Sequence, residues 1–195
     1  HSFPTRRSSD LLGYADEDVN AAVIDAVRKG NLSTLNAPEE VELAELLLEI
    51  HPWAEMVRYA RTGGESMAVA VRIARAATNK DLVLFCGYHG WSDWYLAANL
   101  SEEDALQGHL LPGLDPQGVP RSLLGSAKPF KFNDVEELNG LVEAHGERIA
   151  AIVMEPLRNS EPTEEFRNAV HGAKERLGVP LVIDEITAGF RLNVG

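Results

Sequence analysis

Four short stretches of this chain gather the residue types that do chemistry. Thr62-Gly63-Gly64 precede a strongly helical run, and Tyr88, His89, Trp91 and Trp94 crowd into CGYHGWSDW. Glu155 is followed by Asn159, and Asp184-Glu185 close the apolar run LVI, with Ile186 and Arg191 just beyond. A helix start offers unpaired N–H groups and a partial positive charge, and glycines let backbone approach an anion, so Thr62–Gly64 suits a phosphate. The plain alternative is a Thr-capped helix. Neither G-x-x-x-x-G-K-[ST] nor G-x-G-x-x-G occurs, which argues against ordinary nucleotide or dinucleotide binding. An aromatic at a strand end can stack on a flat ring, while core packing is the alternative for Trp91 and Trp94, and a satisfied structural role for His89. A carboxylate at the end of an apolar strand needs a cationic partner: for Asp184, either an arginine such as Arg191 or the protonated ring nitrogen of a cofactor.

The elements that must position these stretches alternate in hydrophobic period. Asp16 caps a helix through EDVNAAVIDAVRK that stops at Gly30, and Pro38 opens a second that ends before Pro52. A short strand is expected near Met56 to Ala60, a helix from about Glu65 to Thr78, and a strand over DLVLFC. Beyond an irregular loop, Ala97 to Ala127, come a helix in NDVEELNGLVEAHG, a strand in RIAAIVMEP, a helix in TEEFRNAVHGAKERLG and a buried strand in PLVIDE. Such alternation predicts an α/β domain with a mostly parallel sheet, in which ligands collect at the carboxyl ends of strands. All four stretches fall at such ends.

Composition narrows the partners. The 195 residues are 45% hydrophobic and 25% charged, enough for a sizeable core. A formal net charge of -12 repels nucleic acid and anionic membranes, and no apolar run approaches a membrane span. The single Cys86 makes no internal disulfide, which fits a reducing cytoplasm, and reads as a small buried hydrophobe at a strand end. His51, His89, His109, His145 and His171 make no close ligand pair, so no metal is expected. Residues 1–11, HSFPTRRSSDL, resemble a translated sequencing-library adapter and are set aside from the fold. With no initiator Met, the remainder reads as an internal fragment.

Taken together, TGGESMAVAVRIARAAT, FCGYHGWSDW, IVMEP and VIDEITAGFR resemble, in order and spacing, the class III aminotransferases, pyridoxal-phosphate enzymes of fold type I. The likeness leans toward the branch that includes glutamate-1-semialdehyde 2,1-aminomutase. It implies a partial fold-type I large domain over residues 51–195, incomplete at both ends, after an N-terminal helical segment, 12–50. It also implies pyridoxal 5'-phosphate as cofactor, with its phosphate on Thr62, Gly63 and Gly64. Gly64 stands where the family usually has Thr, so one side-chain donor is missing. Tyr88 would stack on one face of the ring and Ile186, in place of the family's Val, on the other. Asp184 would keep the ring nitrogen protonated, and Asn159, one residue nearer Glu155 than the family's Asn, would reach the ring oxygen. The Schiff-base lysine of the family is expected some tens of residues past the Asp-Glu pair, beyond Gly195. Lys29, Lys80, Lys128, Lys131 and Lys174 do not match its motif, so no catalytic residue is assigned and the fragment itself is expected to be inactive.

The implied activity is transfer of an amino group between an amine or amino-acid donor and a keto or aldehyde acceptor, in a homodimeric parent. An intramolecular 2,1-aminomutase acting on an amino aldehyde is the alternative within the family. A non-catalytic ligand-binding module and a nucleotide-binding domain are the alternatives outside it. Arg121 in the long loop could meet a substrate carboxylate, although a solvated arginine is the simpler reading.

Overall fold

A computed structural model describes residues 12–30, 32, 34–100 and 115–191. The expectations for residues 1–11 and for His109 lie outside the described residues, as does much of the 97–127 loop. The described residues fall into two compact units, 59–188 and 12–58 with 189–191.

In the smaller unit, Asp16 accepts from the Val19 N–H and starts α1 (Glu17–Lys29), which ends at Gly30 with φ +110°. Pro38 opens α2 (Pro38–Ile50), and the Glu40 carboxylate returns to the Ala37 N–H at 2.8 Å. Neither helix has a buried residue. Val19, Val23, Ile24 and Val27 of α1 and Val41, Leu43 and Leu46 of α2 are exposed. The strand expected near Met56 to Ala60 is not among the strands of the described residues.

The larger unit is a parallel sheet with helices on both faces. Thr62 caps α3 (Gly63–Thr78), which takes in both glycines and ends at Asn79 in the left-handed region, φ +54°. The strands are β1 (Leu82–Cys86), β2 (Ala127–Pro129), β3 (Ile149–Met154) and β4 (Leu181–Ile183), in the order β2-β1-β3-β4, all parallel. Short α4 (Asp93–Leu96) follows β1, α5 (Val135–His145) lies between β2 and β3, and α6 (Glu164–Leu177) lies between β3 and β4. Strand β2, which starts at the last residue of the expected 97–127 loop, is an addition to the sequence reading.

Alternation along β1 divides the core. Val83 and Phe85 face Met67, Val71 and Ala74 of α3, one helical stripe, together with Trp94 and Tyr95 of α4. Leu82, Leu84 and Cys86 face Leu138 and Val142 of α5 and Phe166, Val170 and Ala173 of α6. On β3, Ile149 and Ile152 share that second face despite their odd spacing, because the register against β1 shifts between Leu82 and Val83. The extra residue, Ala150, acts as a bulge. β4 is an edge strand: Leu181 and Val182 are half-buried and Ile183 is exposed, where the sequence suggests a buried strand.

Candidate functional site

The carboxyl ends of β1, β3 and β4 stop in register. Cys86 pairs with Met154 and Met154 with Ile183, so the next residues, Gly87, Glu155 and Asp184, stand side by side. The ladder continues through them: Glu155 N–H donates to Cys86 O at 3.3 Å and Asp184 N–H to Met154 O at 2.8 Å. The chain leaves β1 for β2 on one side and returns by β3 on the other, so β1 ends at a crevice where a parallel sheet receives ligands.

Asp184 meets His89. The carboxylate Oδ2 lies 2.9 Å from His89 Nδ1, and Oδ1 accepts from the Ile186 N–H at 3.2 Å. The imidazole is wholly buried among Phe85, Trp94 and Tyr95, and its Nε2 faces Cys86 O at 3.1 Å. The ring is thus held at both nitrogens, by a carboxylate on one side and a backbone carbonyl on the other. The Asp184 side chain keeps 12% of its surface exposed. The side chain that faces Asp184 is His89, which the sequence reading did not weigh as its partner, and Arg191 donates to Gly189 O.

Beside this pair, Glu155 is 7% exposed and accepts from Arg158 Nε at 3.0 Å. Burial pushes its carboxyl above the usual range, while Arg158 and His89 pull the other way. Gly87, at φ +114°, lies against this carboxyl: a Cβ there would stand 3.0 Å from Glu155 Cδ and Oε2.

At the start of α3, Thr62 Oγ1 accepts from the Glu65 N–H at 3.2 Å, and the Glu65 carboxylate takes the N–H groups of Arg61 and Thr62. That leaves the Thr62 O–H free to donate. The N–H groups of Gly63 and Gly64, orphaned by helix geometry, meet no acceptor among the described residues. These are three successive donors at a helix start, the kind of group an anion takes. The loop after β1 reaches this turn directly, with Gly90 against Gly64 and Ser92 Oγ donating to Gly64 O at 3.2 Å.

The other sequence candidates are placed as follows. Tyr88 is half-buried, edge-on to Tyr95 at 5.8 Å, and Ile186 is half exposed. Trp94 is buried, but Trp91, expected in the core, is 74% exposed. Asn159 is exposed in the turn after β3, whereas its neighbour Arg158 folds inward to Glu155. Arg121 is exposed at the start of a single helical turn. Arg158, Gly90 and Ser92 go unassigned in the sequence reading, which gave His89 only a structural role. The glycines on both sides of Tyr88-His89 were the only local sign that this loop is held at close quarters.

Known proteins resemble this chain in sequence and fold. The chain is 35% identical over 188 residues to 2'-deamino-2'-hydroxyneamine transaminase of Streptomyces kanamyceticus, covering 96% of this chain and 43% of that protein. It is 36% identical over 191 residues to glutamate-1-semialdehyde 2,1-aminomutase of Desulfovibrio desulfuricans, covering 95% and 44%. A solved transaminase with PLP bound superposes with a TM-score of 0.79 at 26% identity, over 90% of this chain and 42% of that one. The chain thus spans less than half the length of the relatives it matches. The sequence pattern of the family described as Aminotransferase class-III matches residues 5–192, and the chain belongs to that family.

Proposed function

We propose that the protein is a pyridoxal-phosphate-dependent aminotransferase that moves an amino group between an amine or amino-acid donor and a keto or aldehyde acceptor. The observation that carries this reading is the Asp184–His89 pair, not wholly buried, on the same sheet end as the three donors of Thr62, Gly63 and Gly64. This donor and acceptor set fits the cofactor. When bound, pyridoxal phosphate supplies a ring that withdraws electrons from the carbon bearing the amino group.

The chain's residues hold and tune that ring. Thr62 O–H and the Gly63 and Gly64 N–H groups take the phosphate, at the positive end of α3. Tyr88 and Ile186 pack the two ring faces, and Asn159 reaches toward the ring oxygen. Asp184 accepts from the ring nitrogen and holds a proton there, since an adjacent negative charge favours the protonated form. His89 and the Ile186 N–H fix the carboxylate from behind. Residues 12–50 act as an N-terminal helical segment and 51–195 as part of the cofactor domain. The exposed apolar faces of α1 and α2 support a homodimeric full-length protein, and the single cysteine suits a cytoplasmic setting.

A second reading, an intramolecular 2,1-aminomutase, is favoured by the names of several relatives. Full-length protein loaded with pyridoxal phosphate should change its absorbance when amino acids are added. Asp184→Asn should weaken that response about 10- to 100-fold, the range for losing one charge-assisted hydrogen bond. No spectral change with any amine or amino acid would refute the amino-transfer reading. Nitrogen-15 label that stays in the product with no added acceptor would favour the aminomutase.

A further inference from the structure

We infer that Gly90, Ser92 and Gly64 form a junction that sets the distance between the phosphate subsite at the start of α3 and the ring subsite after β1. This rests on the cofactor reading above. The two subsites come from separate parts of the chain, and what joins them is backbone on backbone. A Cβ on Gly90 would stand 2.9 Å from Gly64 Cα, and Gly90 adopts φ +93°, so residue 90 has neither the space nor the conformation for a side chain. The demand is one-sided: a Cβ on Gly64 meets nothing closer than Ser92 Oγ at 3.9 Å and Gly90 Cα at 4.0 Å.

Ser92 supplies the second link. It sits at the N-cap of α4, where a serine ordinarily accepts from its own helix, yet it makes no such bond. Its hydroxyl donates instead to Gly64 O at 3.2 Å. At its other end the same loop is fixed by Gly87 against Glu155 and by the Tyr95 hydroxyl, which donates to Gly87 O at 3.0 Å. Tyr88 and His89 are therefore carried on a segment pinned to β3 at one end and to the start of α3 at the other. Ser92 and Gly90 are positioning residues: a ligand whose phosphate and ring are one molecule gains from both subsites only when their spacing matches its own.

The test measures that gain directly. Full-length protein stripped of cofactor is titrated by calorimetry with three probes: inorganic phosphate, pyridoxine, and pyridoxine 5'-phosphate, which joins the two. Ser92→Ala should leave phosphate and pyridoxine within about twofold of wild type and weaken the joined ester about tenfold, and Ser92→Thr should restore it. Gly90→Ala should do the same more strongly. A Ser92→Ala protein that binds all three probes like wild type would overturn the inference. So would one that loses the ester only in proportion to its separate losses for phosphate and pyridoxine. Wild-type protein that binds neither ring-containing probe would instead overturn the cofactor reading, and this inference with it.

Discussion

Gly87→Ala tests whether the loop after β1 is held by backbone conformation alone or also by the buried carboxyl beneath it. Two costs are separable in the structure. At φ +114° an alanine is strained, by about 1–2 kcal/mol. Its Cβ would also stand 3.0 Å from Glu155 Cδ and Oε2, a side chain that cannot swing away freely because it is buried and tied to Arg158. Forcing it aside adds about 1–3 kcal/mol, the usual range for overpacking. The total expected loss is about 3 kcal/mol, read from the urea midpoint of the full-length protein by circular dichroism. Repeating the substitution in a Glu155→Ala background closes a double-mutant cycle. There only the strain remains, and the cost should fall to about 1–2 kcal/mol. Equal costs in both backgrounds, within about 0.5 kcal/mol, would refute the claim that Glu155 braces Gly87.

Three further outcomes follow from the same geometry. Burial pushes the Cys86 thiol up to about 12, so Ellman's reagent at pH 8 should leave native protein unlabelled and react only as urea unfolds it. Phe166, fully buried with its ring 5.3 Å from Phe132 and 6.2 Å from Phe130, should cost about 3–5 kcal/mol when replaced by Ala, measured by the shift in urea midpoint. Glu155 holds its proton to higher pH when folded than its ordinary 4.5, so between the two values the native state binds more protons and stability falls as pH rises. Urea midpoints taken upward from pH 4.5 should show this decline in wild type, and Glu155→Gln should flatten it.

Much of the fold was legible because its signals are local. Asp16, Thr62, Asp134 and Thr163 each cap a helix through their own side chains, and the stripe Phe166, Val170, Ala173 repeats at helical spacing. Such signals need only a few neighbouring residues. The errors lie where the deciding contact is distant. Met56 to Ala60 has strand-like residues but joins no sheet among the described residues, and Ala127–Pro129 has weak strand residues yet pairs with β1. A sheet is defined by its partner, which no local pattern specifies. Trp91 and Trp94 read alike in sequence, and only the turn into α4 sends one into the core and the other to solvent.

The candidate site divides in the same way. Residue types and order alone determined which family the chain resembles, through a capped glycine turn, an aromatic strand end, a Glu-Pro and an Asp-Glu. Tertiary structure decided who meets whom. His89 reaches Asp184 because β1 and β4 end level on either side of β3, and Gly90 reaches Gly64 because α3 packs on the face that the loop after β1 crosses. Those contacts join residues far apart in the chain, and their energies depend on burial and angle rather than on residue type.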